Sequence, residues 1–181
     1  KNVSNEIPLF YSANFSYGIA VFEQILKRFA PLLKNDFDME VQETHHNQKQ
    51  DAPSGTAKML VDALDPENEY TKVYGRSGFT GKRQHEIGIH SLRGGTVAGE
   101  HTVYSFGDNE TLEIKHSANS RQIFVNGALK AAKFVVNQKA GLYSMEAEQI
   151  IRYIQTAEKK TPVKVYFKSE REISFPKCKV F

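Results

Sequence analysis

The sequence predicts an α+β domain, and three observations carry that expectation. Apolar and polar residues alternate in four separate runs, the mark of half-buried strands. Elsewhere apolar residues recur every three or four positions, the mark of amphipathic helices. Two of the alternating runs are joined by Gly107-Asp108-Asn109, a hairpin connection.

In chain order, IPLFYSA (7–13) is a short apolar run ending in small residues and reads as a buried strand. Ile19, Phe22, Ile25, Leu26, Phe29 and Leu33 share one helical face, with Ser16 as N-cap and Pro31 placed to bend or end the helix. In DFDMEVQET (36–44), Phe37, Met39 and Val41 point one way and Asp36, Asp38, Glu40 and Gln42 the other. A helix over 55–64 follows, then a polar, glycine-rich surface loop over 65–84. Strands are expected over 86–93, 97–107 and 110–118, with Gly94-Gly95 turning between the first two. The segment 120–136 reads as a helix with Ile123, Gly127, Ala131 and Phe134 or Val135 on one face; its small residues suit close packing against a sheet. GLYSM (141–145) ends that unit. A charged amphipathic helix over 146–160 and a strand over 161–168 complete the reading.

Bulk properties narrow the function. The 181 residues suit one domain or one and a half, with 40% hydrophobic and 25% charged residues. A net charge of +3 is too mild to argue for a nucleic-acid partner. Cys178 is the only cysteine, so no disulfide forms within the chain, in keeping with a reducing, cytoplasmic setting. No apolar run reaches the roughly 20 residues of a membrane span, and KNVSNEIPLF has no signal-peptide core. With no initiator methionine, the chain is expected to begin partway through a larger protein.

The stretch that carries chemistry is ETHHNQKQDAPSGTA (43–57). Its Pro-Ser-Gly-Thr segment opens a helix, where unpaired N–H groups, the macrodipole and the hydroxyls of Ser54 and Thr56 suit an anion, and Gly55 lets a ligand approach the backbone. Simple capping by Ser54 is the alternative. His45 and His46 lie where a strand gives way to a loop. Histidine titrates near neutral pH and can donate a proton, and Lys49 adds positive charge. Together these groups describe a site for a small dicarboxylate that must be protonated. Six histidines raise the question of a metal, but no pair has His-Glu-x-x-His spacing and one cysteine makes no zinc cluster, so no metal site is expected. His90, His101 and His116 read as packing or hydrogen-bonding residues of strands.

The same stretch, with YSANFSYG (11–18), GRSGFTGKRQHEIGIHSLRGG (75–95), VAGEHTVYSF (97–106), LEIKHSANSRQIFVNGALKAA (112–132) and GLYSM (141–145), resembles the 4-hydroxy-tetrahydrodipicolinate reductase (dihydrodipicolinate reductase) family of bacterial lysine and diaminopimelate biosynthesis. The block His-His-x-x-Lys-x-Asp-Ala-Pro-Ser-Gly-Thr is its most specific part. The resemblance implies an open mixed β-sheet with helices packed on one face, and hydride transfer from NADPH or NADH to a cyclic imine dicarboxylate. It implies His45 as proton donor with Lys49 as partner, and His46, Ser54, Gly55 and Thr56 at the substrate. It implies Ser12, Ala13, Asn14 and Phe15 beside the nicotinamide, and a homotetramer with no nucleic-acid or membrane partner.

Two departures from the family pattern stand out. The glycine-rich phosphate loop and the Gly-Thr-Thr segment of the family's Rossmann domain are not among the 181 residues. Residues 1–15 are therefore expected to be a remnant of the dinucleotide-binding domain, its last strand, and 16–144 the substrate-binding and tetramerisation domain. The tail, 145–181, resembles over 145–168 the start of tetrahydrodipicolinate N-acetyltransferase, as a gene fusion or frameshift would produce; a divergent C-terminal extension is the alternative. On this reading the chain alone is inactive and does not reveal NADH or NADPH preference. A second class of function stays open: a non-catalytic dicarboxylate-binding or oligomerisation module.

Overall fold

A computed structural model describes residues 3–146, 148–156, 165–166 and 172–173. The chain divides into two compact units, Gly18–Arg121 and a discontinuous one made of Lys1–Tyr17 with Gln122–Phe181. The boundaries drawn from the sequence at 15/16 and 144/145 cut the chain differently.

The Gly18–Arg121 unit is built on a five-stranded mixed sheet. Its strands are β2 (Asp38–His45), β3 (Thr71–Tyr74), β4 (Glu86–Arg93), β5 (Glu100–Gly107) and β6 (Glu110–Ser117), in the spatial order β3-β4-β2-β5-β6. β4 runs parallel to both β2 and β3, whereas β2–β5 and β5–β6 are antiparallel. The β5–β6 hairpin turns at Asn109, whose φ of 62° is the left-handed value that such a tight connection needs.

Alternation decides which face is covered. Val41 stands opposite Ile89 on one side and Val103 on the other, and Val103 opposite Ile114. This row, with Met39 and Ile87, faces two helices, α1 (Tyr17–Leu33) and α2 (Gly55–Leu64). Ile19, Phe22, Leu26 and Ala30 of α1 and Ala57, Leu60, Val61 and Leu64 of α2 complete a single core. Leu60 is wholly buried there; truncating such a leucine to alanine costs about 2–5 kcal/mol. The sheet is open and mixed, as expected. Its other face carries Glu40, His90, Tyr104 and Phe106. Glu40 accepts two hydrogen bonds from Arg76, at 2.9 and 2.8 Å, and lies 2.7 Å from His90 Nε2. Burial raises the Glu40 carboxyl, but the Arg76 and His90 hydrogen bonds outweigh it and hold it at about 2.

Three details differ from the sequence reading. The segment 65–84 contains a strand, β3, whose four residues pair with the start of β4. The strands on either side of Gly94-Gly95 do not pair with each other, because β2 lies between them. Pro31 does not end α1, which continues to Leu33 without the ladder hydrogen bond that an N–H at residue 31 would make to Lys27 O.

The discontinuous unit pairs β1 (Pro8–Phe10) in parallel with β7 (Gly141–Tyr143) and packs α3 (Gln122–Val135) and α4 (Glu148–Thr156) around Phe134. The Phe134 ring lies 6.2 Å from Phe10, 5.5 Å from Tyr143 and 5.4 Å from Tyr153, each edge-on. Gly127, Ala131 and Phe134 form the buried face of α3. A β-carbon on Gly127 would lie 1.6 Å from Phe15 O, so the helix meets the backbone of the 11–16 segment directly. Of the tail, Val165–Tyr166 (β8) pairs antiparallel with Glu172–Ile173 (β9), and the rest of the strand expected over 161–168 lies outside the described residues.

Candidate functional site

The site of the Gly18–Arg121 unit grows from the last residues of β2. Alternation sends Glu43 to the helix-covered face behind Met39 and Val41, where its side chain is wholly buried. A buried carboxylate costs several kcal/mol unless partnered. Glu43 Oε2 accepts from Arg93 Nη1 at 2.8 Å, and Oε1 from Arg93 Nη2 at 2.8 Å and from the Ser54 N–H at 3.1 Å. His45 Nδ1 lies 2.5 Å from Oε2, and the Ser91 side chain also donates to the carboxylate. Burial raises the carboxyl, yet these hydrogen bonds prevail and lower it to about 2. The parallel register supplies Arg93, which stands opposite His45 on β4. Its Nη2 also donates to Asp51 O at 2.8 Å, tying the loop after β2 to the sheet.

An ionised carboxylate only accepts, so His45 Nδ1 carries the hydrogen between them. Its other nitrogen, Nε2, faces Gly99, where a β-carbon would come within 3.0 Å. The His45 ring meets His101 edge-on at 5.2 Å. His101 Nε2 lies 3.0 Å from Ser54 Oγ, and Ser54 also caps α2 by accepting the Ala57 N–H at 3.1 Å. Burial first, then nearby His45, lowers His101 to about 4, so it is neutral at pH 7.

His46 opens the loop. Its Nε2 lies 3.0 Å from Arg121 Nη2, and because a guanidinium only donates, this nitrogen accepts. Burial and then the Arg121 charge push His46 below its ordinary range. The Gly94-Gly95 turn braces the loop, with Gly94 N–H on His45 O at 3.0 Å and Asn47 N–H on Gly95 O at 3.1 Å. Lys49 Nζ pairs with Asp51 Oδ1 at 2.7 Å. A cis Ala52–Pro53 bond precedes Ser54. Gly55 and Thr56 are the first residues of α2; Gly55 is exposed, with open space where a side chain would be.

The segment Ser12–Phe15 belongs to the other unit. It leaves the C-terminal end of β1, the end where parallel α/β sheets bind ligands. Ser12 Oγ is 2.8 Å from Asn14 O and 2.9 Å from Glu146 Oε1, while Asn14 Oδ1 accepts the Ser16 N–H at 2.7 Å. Ala13 is exposed and Phe15 packs on Phe10. Among the described residues, no group of three or more His, Cys, Asp or Glu is placed to hold a metal ion, and no helix is long and apolar enough to cross a membrane.

Residues 18–148 match the family described as "Dihydrodipicolinate reductase, C-terminus". This chain belongs to the dihydrodipicolinate reductase family. Among curated 4-hydroxy-tetrahydrodipicolinate reductases it is similar to that of Brachyspira hyodysenteriae, 52% identical over 147 residues, covering 79% of this chain and 62% of the relative. It is similar to that of Caldanaerobacter subterraneus, 54% identical over 151 residues, covering 81% and 59%. The chain thus spans about three fifths of the relatives it matches. A solved dihydrodipicolinate reductase from Paenisporosarcina sp. TG-14, bound to dipicolinate, shares the fold with a TM-score of 0.59 and 22% identity, over 78% of this chain and 55% of that one. Residues 145–181 match "Tetrahydrodipicolinate succinyltransferase N-terminal", in line with a tail that resembles the start of a tetrahydrodipicolinate acyltransferase.

Within this member of the dihydrodipicolinate reductase family, the structure joins His45 to groups that the sequence reading did not single out: Glu43 and Arg93, with His101 behind them and Arg121 on His46. One signal was visible. Glu43 shares the parity of Met39 and Val41, so a charge was bound for the apolar face. The hydroxyl of Ser54, read either as a cap or as a substrate contact, is engaged by Ala57 and His101.

Proposed function

We propose that the chain supplies the substrate-binding part of a 4-hydroxy-tetrahydrodipicolinate reductase, which makes tetrahydrodipicolinate in the cytoplasm. The bound NADH or NADPH supplies a hydride. His45 holds a proton at Nε2 and releases it to the ring of the substrate. Lys49 stabilises charge on that ring, and its partner Asp51, on an exposed loop, can yield the ammonium to a ligand. His46, Arg121 and the start of α2 at Gly55 and Thr56 receive the two carboxylates, with Ser54 holding the helix start in place. Ser12, Ala13, Asn14 and Phe15 meet the nicotinamide. The observation that carries the reading is the placement of His45 at the end of β2, with His46 and Lys49 on the loop that leads from it to the N-terminus of a capped helix. The dipicolinate in the solved relative agrees with a dicarboxylate ligand. The open sheet face, with Tyr104 and Phe106 stacked at 5.6 Å, supports assembly into a homotetramer.

Calorimetry with pyridine-2,6-dicarboxylate tests this. Binding to the wild type and its loss in His46→Ala are expected; equal affinity in both overturns the carboxylate assignment. These 181 residues hold no phosphate loop, so NADPH oxidation by the chain alone is expected to fall far below that of a full-length relative. Binding with no oxidation even when a cofactor domain is supplied favours a non-catalytic module instead.

A further inference from the structure

We propose that Glu43 is a positioning residue: anchored by Arg93 and Ser54, its carboxylate holds the His45 proton at Nδ1 and presents Nε2 towards Gly99. The inference deepens the reading of His45 as proton donor and takes its functional meaning from it.

The geometry leaves His45 little choice. Both Glu43 oxygens are fully used: Oε1 by Arg93 and the Ser54 amide, Oε2 by Arg93 and His45. The Arg93 and Ser54 N–H donors to Glu43 are incapable of accepting, the guanidinium is locked by a further bond to Asp51 O, and the Ser91 hydroxyl adds one more hydrogen bond to the carboxylate. The neutral imidazole facing such an acceptor must place its hydrogen on Nδ1. Nε2 then has a free lone pair when the ring is neutral and the transferable proton when it is charged. Gly99 keeps that side of the ring clear, because any side chain there would press on Nε2. The edge-on His101 ring limits rotation of His45, and His101 is itself fastened to Ser54. A carboxylate that merely neutralised Arg93 would need none of this orientation.

Glutamine at 43 makes a sharp contrast. Its NH2 at the Oε1 position would oppose two fixed donors, the Ser54 amide and Arg93 Nη2. At the Oε2 position the one fixed N–H donor it opposes is Arg93 Nη1; a hydroxyl such as that of Ser91 can reorient, and His45 can respond by turning Nδ1 into an acceptor. Glu43→Gln is therefore expected to move the His45 proton from Nδ1 to Nε2.

The test reads the tautomer of His45 in the 181-residue chain from long-range proton–nitrogen couplings of 15N-labelled imidazoles, at about pH 8, above the ordinary histidine pKa. His45→Gln assigns the signals. The wild type is expected to show a protonated Nδ1 and a bare Nε2, and folded Glu43→Gln the reverse. A protonated Nε2 in the wild type overturns the proposal whether or not the variant folds. An unchanged tautomer in folded Glu43→Gln overturns it as well, leaving Glu43 only the neutralisation of Arg93. The readout needs neither substrate nor cofactor. A chain with the expected tautomer that fails to bind pyridine-2,6-dicarboxylate refutes the substrate site and not the positioning.

Discussion

Gly99 faces His45: a β-carbon at residue 99 would stand 3.0 Å from Nε2. On that side the nitrogen owes its clearance to the absence of a side chain. Gly99→Ala is expected to weaken pyridine-2,6-dicarboxylate binding about tenfold, roughly 1.4 kcal/mol, by displacing the imidazole. Titration calorimetry measures this, and an unaltered affinity would mean that the ring yields freely.

Ser54 serves two structures at once, the start of α2 and the His101 ring. Ser54→Ala removes the cap and a hydrogen bond to a buried imidazole, and is expected to cost about 2 kcal/mol of stability. Urea unfolding followed by circular dichroism measures the loss. A change below about 0.5 kcal/mol would show that neither contact contributes as described.

Acid should destabilise the protein in two stages. His101 sits near 4 when folded against 6.5 for the free group, so the unfolded chain takes up that proton first. Its contribution is full above pH 6.5 and falls away towards pH 4, by an amount on the order of 3 kcal/mol. Burial lowers His116 in the same direction. Glu40 and Glu43, held at about 2 against 4.5, stabilise the fold above pH 4.5 and cease to do so as pH falls to 2. Unfolding midpoints measured across this range should fall in both stages, and His101→Gln should flatten the upper one. A midpoint constant between about pH 7 and 5 contradicts the buried neutral imidazole.

Gly127 lets α3 touch the Phe15 carbonyl. Gly127→Ala would gain helix propensity worth about 1 kcal/mol on an exposed helix, but here the methyl group collides with backbone. The expected result is a net loss of about 3 kcal/mol or more, seen as a lower thermal midpoint. A stabilised variant would show that the helix stands further from the 11–16 segment.

The sequence revealed those elements whose signals are local. α2 begins and ends as read, because Ser54 caps it and its apolar residues keep one helical face. β4 is equally clear from its alternation. β3 escaped because four residues of an edge strand carry too few alternations to stand out within a polar, glycine-rich stretch. The candidate site divides the same way. His45, His46 and Lys49 are close neighbours in sequence and were legible together. The Glu43–Arg93 pair joins residues 50 positions apart through a parallel register, and no local pattern announces a register. His101 reads as a packing or hydrogen-bonding strand residue, but its partner, Ser54, is 47 positions away and only the fold supplies it.

The pairing of β1 with β7 has a consequence for how the chain comes to fold during synthesis. Pro8 lies beside Gly141, so the first strand emerges from the ribosome 133 residues (141 − 8) ahead of its partner. At elongation rates of about 5–20 residues per second that wait is on the order of ten seconds, long enough for the five-stranded sheet to form before β7 reaches β1. Nascent chains halted once residue 121 has cleared the ribosomal tunnel should therefore already hold a protease-resistant sheet.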